Sequence, residues 1–165
     1  MSEGTTKETA GSSDEVGAKK DSFLTKKEAI GQALELLDSV RHFLVGTNAE
    51  DGFPNIKAMS NRKHEGIKTI WLKTDTFSMR VQQLRRDTRA CVYCLDSKLG
   101  RGLMLVGNME ILEDVGSKRA LWKDGDEKFN PLGVEDPAWC VLRFTAKRAN
   151  MVDAMQNKGL TLEIE

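Results

Sequence analysis

The run Lys73-Thr74-Asp75-Thr76-Phe77-Ser78-Met79-Arg80 places three hydroxyl side chains and a guanidinium where a β-branched, apolar segment gives way to a helical one. The unpaired N–H groups of a helix's first turn amount to about half a positive charge, so Asp, Glu or a bound anion is favoured there. A cation at that point asks for a negative partner. Two partners are compatible with the residues. Thr74, Thr76, Ser78 and the free N–H groups can donate to a phosphate whose charge Arg80 neutralises. Alternatively, Asp75 pairs locally with Arg80 and Ser78 does no more than cap the helix. At 100° per residue Arg80 falls at the edge of a Phe77, Val81, Leu84 stripe, which sets it where helix meets sheet.

Other residues with chemical potential are less well placed. Cys91 and Cys94 spell C-x-x-C, but "RACVYCLD" has the composition of a strand, in which residues three apart point to opposite faces. Their sulfurs therefore diverge, and His42 and His64 each lack a spaced partner, so no metal site is expected. Four arginines lie between Arg80 and Arg89, without a second basic element or a set of aromatics to stack bases. Nucleic acid is not an expected partner. His64 sits in the turn-forming "NRKHEG" and is expected at the surface. No P-loop, G-x-G-x-x-G or G-x-S-x-G occurs.

The elements that must position these residues follow from pattern. Twenty-five basic residues balance twenty-five acidic ones, so no global field draws the chain to polyanions, and 165 residues suffice for one packed domain. Residues 1–22 offer almost nothing to bury and are expected to form a disordered tail before a domain over 23–165. No apolar run is long enough to span a bilayer and no secretory signal is visible, so a cytoplasmic location without membrane association is expected. Thr25 and Glu28 form a T-x-x-E capping box before Ala29, Ile30, Ala33, Leu34, Leu37 and Val40, predicting a helix over about 26–39. Six strands follow: "RHFLVGTN", "PNIKAMSN", "KTIWLKT", "RACVYCLD", "GLMLVGNMEILED" and "AWCVLRFTA". Short links predict hairpins from the first strand to the second and from the second to the third. Two short helices, one through Phe77, Val81 and Leu84 and one in "GSKRALWKD", interrupt them. The fold class is α+β and β-rich, with six antiparallel strands closing into a small barrel.

A strand ending in Thr, an S-x-R opening the next helix, the preceding "PNIKAM" and the following "RRDTRACVYCLD" together resemble the pyridoxamine 5′-phosphate oxidase-like FMN-binding split-barrel family. The later "FNPLGVEDPAWCVLRFT", with its F-x-P-x-G-x-x-D-P spacing, is similar to the general stress protein branch. The likeness spans about residues 27–152. It implies a split barrel with flanking helices that forms a homodimer and holds FMN at the subunit interface. Lys57, Ala58, Met59 and Ser60 on one strand and Lys73 and Thr74 on another would hold the ring and ribityl chain, and Ser78 and Arg80 the phosphate. A cation such as Lys57 near the pyrimidine edge of a flavin stabilises charge arriving on reduction. Trp71, Trp122 and Trp139 are candidates for the dimer wall, with core burial as the other assignment. The chain departs from the oxidase at Met79 and Gly102, where an arginine and a glutamine stand in that enzyme, and around Met151, where a tryptophan is common. It also lacks the substrate-binding Arg-x-His segment. A flavin-dependent oxidoreductase with an unknown small substrate is therefore expected, and a flavin-storing or flavin-sensing protein is the alternative.

Overall fold

The structure, a computed structural model, describes residues 23–165, so the tail expected over 1–22 lies outside the described residues. Helix α1, Lys26–Ser39, begins at the capping box: the Thr25 hydroxyl accepts from the Glu28 amide at 3.2 Å, and the Glu28 carboxylate accepts from the Thr25 amide at 2.8 Å. Ala29, Ala33, Leu36 and Leu37 form its buried stripe, which packs against the strands described next.

Eight strands form one curled antiparallel sheet: β1 His42–Asn48, β2 Pro54–Ser60, β3 Lys63–Glu65, β4 Thr69–Asp75, β5 Arg89–Asp96, β6 Arg101–Leu112, β7 Trp139–Asp153 and β8 Lys158–Glu163. The order is β2-β1-β5-β6-β7-β4-β3, with β8 paired to β7. The six expected strands are all present, and β3 and β8 are additions to them. Three residues of β3, Lys-His-Glu, carry no apolar alternation to betray them. β8 becomes a strand because the far half of β7 offers it a partner, in register from Arg148↔Glu163 to Asp153↔Lys158.

The predicted β1–β2 hairpin is formed, with His42 opposite Ser60 and Asn48 opposite Pro54. The second predicted hairpin is not. Among the described residues β2 pairs only with β1, while β4, the next of the expected strands, makes its hairpin with β3 and pairs with β7 along its whole length. Asn61 diverts the chain: its side-chain amide donates to the Leu37 and Val40 carbonyls at 2.7 and 3.0 Å, capping the end of α1 where the chain leaves the sheet after β2. Because β3 covers only Thr69–Trp71 of β4, among the described residues the edge from Leu72 to Asp75 has no strand beside it. The barrel is split along this seam.

The main core lies inside the curl, with Phe43, Val45, Ile70, Leu72, Val92, Leu103, Leu105, Phe144 and Met151 meeting the stripe of α1. Helix α2, Met79–Arg86, adds Val81 and Leu84. Phe77, expected in that stripe, precedes the helix and is 78% exposed. A second cluster forms on the outer side of β4 and β7, where Trp139, Val141 and Leu121 of helix α3 (Val115–Leu121) pack with Trp71 and Trp122. Trp139 has no exposed surface, which removes it from any dimer wall. The cysteines are free; Cys94 points into the core and Cys91 to the other face. Burial pushes the Cys94 thiol up to about 12 and that of Cys140 to about 11, so neither offers a thiolate at neutral pH.

β6 and β7 are long enough to turn the corner of the barrel because they share a bulge between Val106 and Gly107, whose partners skip from Arg148 to Ala146. A Cβ on Gly107 would lie 2.0 Å from the Thr145 carbonyl oxygen, so the backbones approach as closely as they do only with glycine there. Gly107→Ala is expected to cost about 2 kcal/mol or more. Gly31→Ala, in α1 with nothing within 4 Å of the new methyl, is expected to stabilise by about 0.5–1 kcal/mol. Urea unfolding of the two variants checks the opposite signs.

Candidate functional site

Arg80 is placed by three devices. Ser78 caps α2, its hydroxyl accepting from the Val81 amide at 3.4 Å. Gln83, buried one turn later, accepts from the Thr47 hydroxyl at 2.7 Å and ties the helix to β1. Thr76 is buried and donates to the Pro137 carbonyl at 2.9 Å, so its hydroxyl is spent holding the strand-to-helix turn and is not available to a ligand. The guanidinium then reaches back to β4, where one terminal nitrogen donates to the Thr74 hydroxyl at 2.7 Å. Thr74 and Ser78 oxygens are 3.5 Å apart.

What is missing around Arg80 matters as much. Among the described residues it has no ion pair within 4.0 Å, Asp75 included, and its Nε is buried without a hydrogen-bond partner. Burial lowers its proton affinity, against a weaker opposing pull from Asp75, yet a guanidinium stays charged. The local Asp75–Arg80 pair is thus not formed. By contrast Arg85, Arg86 and Arg89 are neutralised by Glu113, Glu50 and Asp87 at 2.8, 2.6 and 2.7 Å. Of the arginines clustered here, Arg80 alone keeps an unmet demand for an anion.

Lys73 approaches the same seam from the outer face of β4. Its ammonium lies 4.7 Å from the Trp139 ring centroid and 4.9 Å from that of Trp122, an aromatic box for a cation. Among the described residues its carboxylate partner is Asp126 alone, at 3.5 Å, and its Nζ makes no hydrogen bond. Desolvation lowers its pKa, with Asp126 opposing. Asp126 is itself buried and is gripped by both ends of the Arg62 fork, at 2.7 and 3.1 Å, and by the Lys123 amide. Burial alone would raise its pKa; Arg62 and the amide outweigh it, and the carboxyl is held below its usual range.

These groups open onto a groove of about 400 Å³ along the split, lined by Ala58, Met59, Ser60, Lys73, Thr74, Ser78 and Arg80 of the expected set. Met59 is mostly core, while Ala58 and Ser60 beside it are exposed. Lys57 falls in an adjoining cleft of about 90 Å³ that shares Ser78 and Arg80 with the groove. Asp75, Arg62, Phe129 and Asn130 complete the lining, the last three of them not expected. Arg62 follows the end of β2 and gave no signal of its own. Phe129 and Asn130 open the F-x-P-x-G-x-x-D-P segment, whose spacing was visible but whose position over the seam was not. His64 is elsewhere, with its ring nitrogens facing the Asp38 carboxylate and the Gly66 carbonyl at 2.9 and 3.1 Å. Among the described residues no cluster of metal-ligating side chains occurs, and no helix is long and apolar enough to cross a membrane.

The Pyridoxamine 5′-phosphate oxidase like family model matches residues 28–163. A solved structure from Clostridium acetobutylicum, described as related to general stress protein 26 of B. subtilis and of the pyridoxinephosphate oxidase family, is 42% identical. The match covers 85% of this chain and 97% of that one, with a TM-score of 0.76. General Stress Protein 26 from Bacillus anthracis shares the fold at 17% identity and TM-score 0.67, over 81% and 97% of the two chains. So does a pyridoxamine 5′-phosphate oxidase-related, FMN binding protein from Nostoc punctiforme, at 14% and 0.56, over 83% and 95%. No curated protein matches.

Because Asp126 is the shared counter-charge of two enclosed cations, Asp126→Asn is expected to destabilise the protein by about 3 kcal/mol at pH 7. A carboxyl with a depressed folded-state pKa contributes stability above its unfolded pKa and loses it as pH falls through the folded value. The gap between wild type and variant should therefore be full at neutral pH and close on acidification. Denaturant titrations across that range measure it.

Proposed function

Since the chain belongs to the pyridoxamine 5′-phosphate oxidase-like family, we propose that the seam groove binds FMN and that the protein is a dimeric flavoprotein acting as an oxidoreductase on a small substrate. The observation that carries this is Arg80: a half-buried guanidinium with a buried, orphaned Nε, beside two hydroxyls and a helix N-terminus, suits a phosphate monoester. On this proposal Ser78, Thr74 and Arg80 hold the phosphate. Ala58, Met59, Ser60 and Lys73 line the path of the ribityl chain and ring, with Lys57 supplying a cation from the adjoining cleft. The groove counts three cations, Arg62, Lys73 and Arg80, against Asp75 in its lining and Asp126 behind it, so it favours an anion. The redox chemistry belongs to the cofactor, and the chain's part is to bind, orient and shield it.

The departures from the oxidase have structural counterparts. A Cβ on Gly102 would meet the Tyr93 hydroxyl at 2.6 Å, so no glutamine fits where the oxidase has one unless Tyr93 moves. Met79 is 62% exposed and adds no charge, and Met151 is buried in the core. β8 carries no Arg-x-His. Pyridoxamine 5′-phosphate is accordingly not the substrate proposed.

An exposed apolar face supports the homodimer. Leu44, Tyr93 and Met104 stand in register across β1, β5 and β6, with Leu95 and Val152 beside them, all wholly or partly exposed. Such a surface suits a second copy.

Two experiments test the proposal. Added FMN should bind with flavin absorbance peaks, and Arg80→Glu should weaken binding by about 100-fold in a fluorescence titration; indifference to that substitution would sink the phosphate assignment. Anaerobic NADPH should bleach the bound flavin if the protein is an oxidoreductase, whereas a flavin-storing or flavin-sensing role predicts no bleaching with any common donor.

A further inference from the structure

We propose that Phe129 is a ligand-stacking residue: its ring covers one face of a flat heteroaromatic group lying in the seam groove. The inference rests on the FMN reading above and adds a wall to that site. Phe129 lines the groove with Lys73, Thr74 and Arg80, yet is 81% exposed.

Its exposure is not that of a loose tip, because the residues around it are anchored. Three positions before it, Asp126 is buried under the Arg62 fork and beside the Lys73 ammonium. The amides of Phe129 and Asn130 both donate to the Asp126 carbonyl at 3.0 Å. Asn130 is buried, its side chain donating to the Asp136 carboxylate at 3.3 Å. Asp136 in turn caps the Ala138 amide at 2.8 Å, and its carbonyl accepts from the buried Lys118 ammonium at 2.8 Å. A segment pinned on both sides of a single residue holds that residue's ring out over the groove.

The same side chains that fix this segment also line the ligand's space. Lys73 and Arg62 point charge at the groove while holding Asp126, so the wall carrying Phe129 and the floor carrying Thr74, Ser78 and Arg80 are set relative to each other by buried ion pairs. A phosphate needs only the floor. An aromatic wall is useful to a ligand that also has a ring, through dispersion and an offset-stacked geometry. The chemical class is therefore a phosphorylated planar heterocycle, and a bare sugar phosphate would leave the wall unused.

The test compares FMN with ribose 5-phosphate, which shares the phosphate and lacks the ring. Phe129→Ala should weaken FMN about tenfold by fluorescence titration, leave the thermal-shift response to ribose 5-phosphate unchanged, and leave the gel-filtration volume unchanged. Phe129→Tyr should restore FMN affinity. The proposal is overturned if Phe129→Ala leaves FMN binding intact while Arg80→Glu abolishes it, in which case the phosphate site stands and only the wall fails. Equal loss for both probes, or conversion to a smaller species because the ring packs against a second copy, also overturns it. If Arg80→Glu itself has no effect on FMN, the reading beneath the proposal falls with it.

Discussion

β2 and β4 face one another without a shared ladder hydrogen bond, and the open edge from Leu72 to Asp75 is the constraint from which the site follows. A fully sealed barrel of this size has room inside only for side chains or one small ligand and offers no opening along its wall. Here α1 takes Asn61, the chain leaves the sheet at the end of β2, and β3 covers only part of β4 on its return. Side chains from both faces of β4 consequently reach one opening: Thr74 from the barrel side beside Arg80, and Lys73 from the outer side beside the tryptophans.

Charge in that opening is arranged so that one carboxylate serves where more would cancel the site. Asp126 offsets Arg62 and Lys73 from behind the groove, and among the described residues no carboxylate approaches Arg80 within ion-pair distance. Elsewhere on α2 and its flanks the arginines are all matched. An unmatched, half-buried guanidinium is costly to the free protein and is stabilised when an anion arrives, which makes binding and stability the same quantity seen twice. The tryptophan pair around Lys73 plays a supporting part, because an aromatic face lowers the cost of enclosing the ammonium without neutralising it.

Several features were legible from residues alone because they are local. The capping box set the start of α1, side-chain pattern set β1, β2, β4, β5, β6 and the first part of β7, and the divergence of Cys91 and Cys94 followed from the pleat. The candidate residues Ala58 to Ser60, Lys73, Thr74, Ser78 and Arg80 were named from resemblance, and they line one groove. Thr76 and Phe77 were misplaced because the neighbours that decide them come from elsewhere. The carbonyl that takes the Thr76 hydroxyl is sixty-one positions away, and among the described residues no element packs over Phe77 to bury it.

The sequence by itself determined the three helices and six of the eight strands, and it put an unusual cation at the head of α2. Those depend on periodicity and on side chain-to-backbone contacts a few residues apart. Tertiary structure alone decided that β2 and β4 would not pair, that Asp126 would reach Arg62 and Lys73 rather than solvent, and that Phe129 would stand over the seam. Each depends on contacts between positions fifty or more residues apart, or on how a sheet curls. A local pattern specifies what an element is, but which edges stay open and which charges go unmatched is settled only when distant elements compete for the same partner.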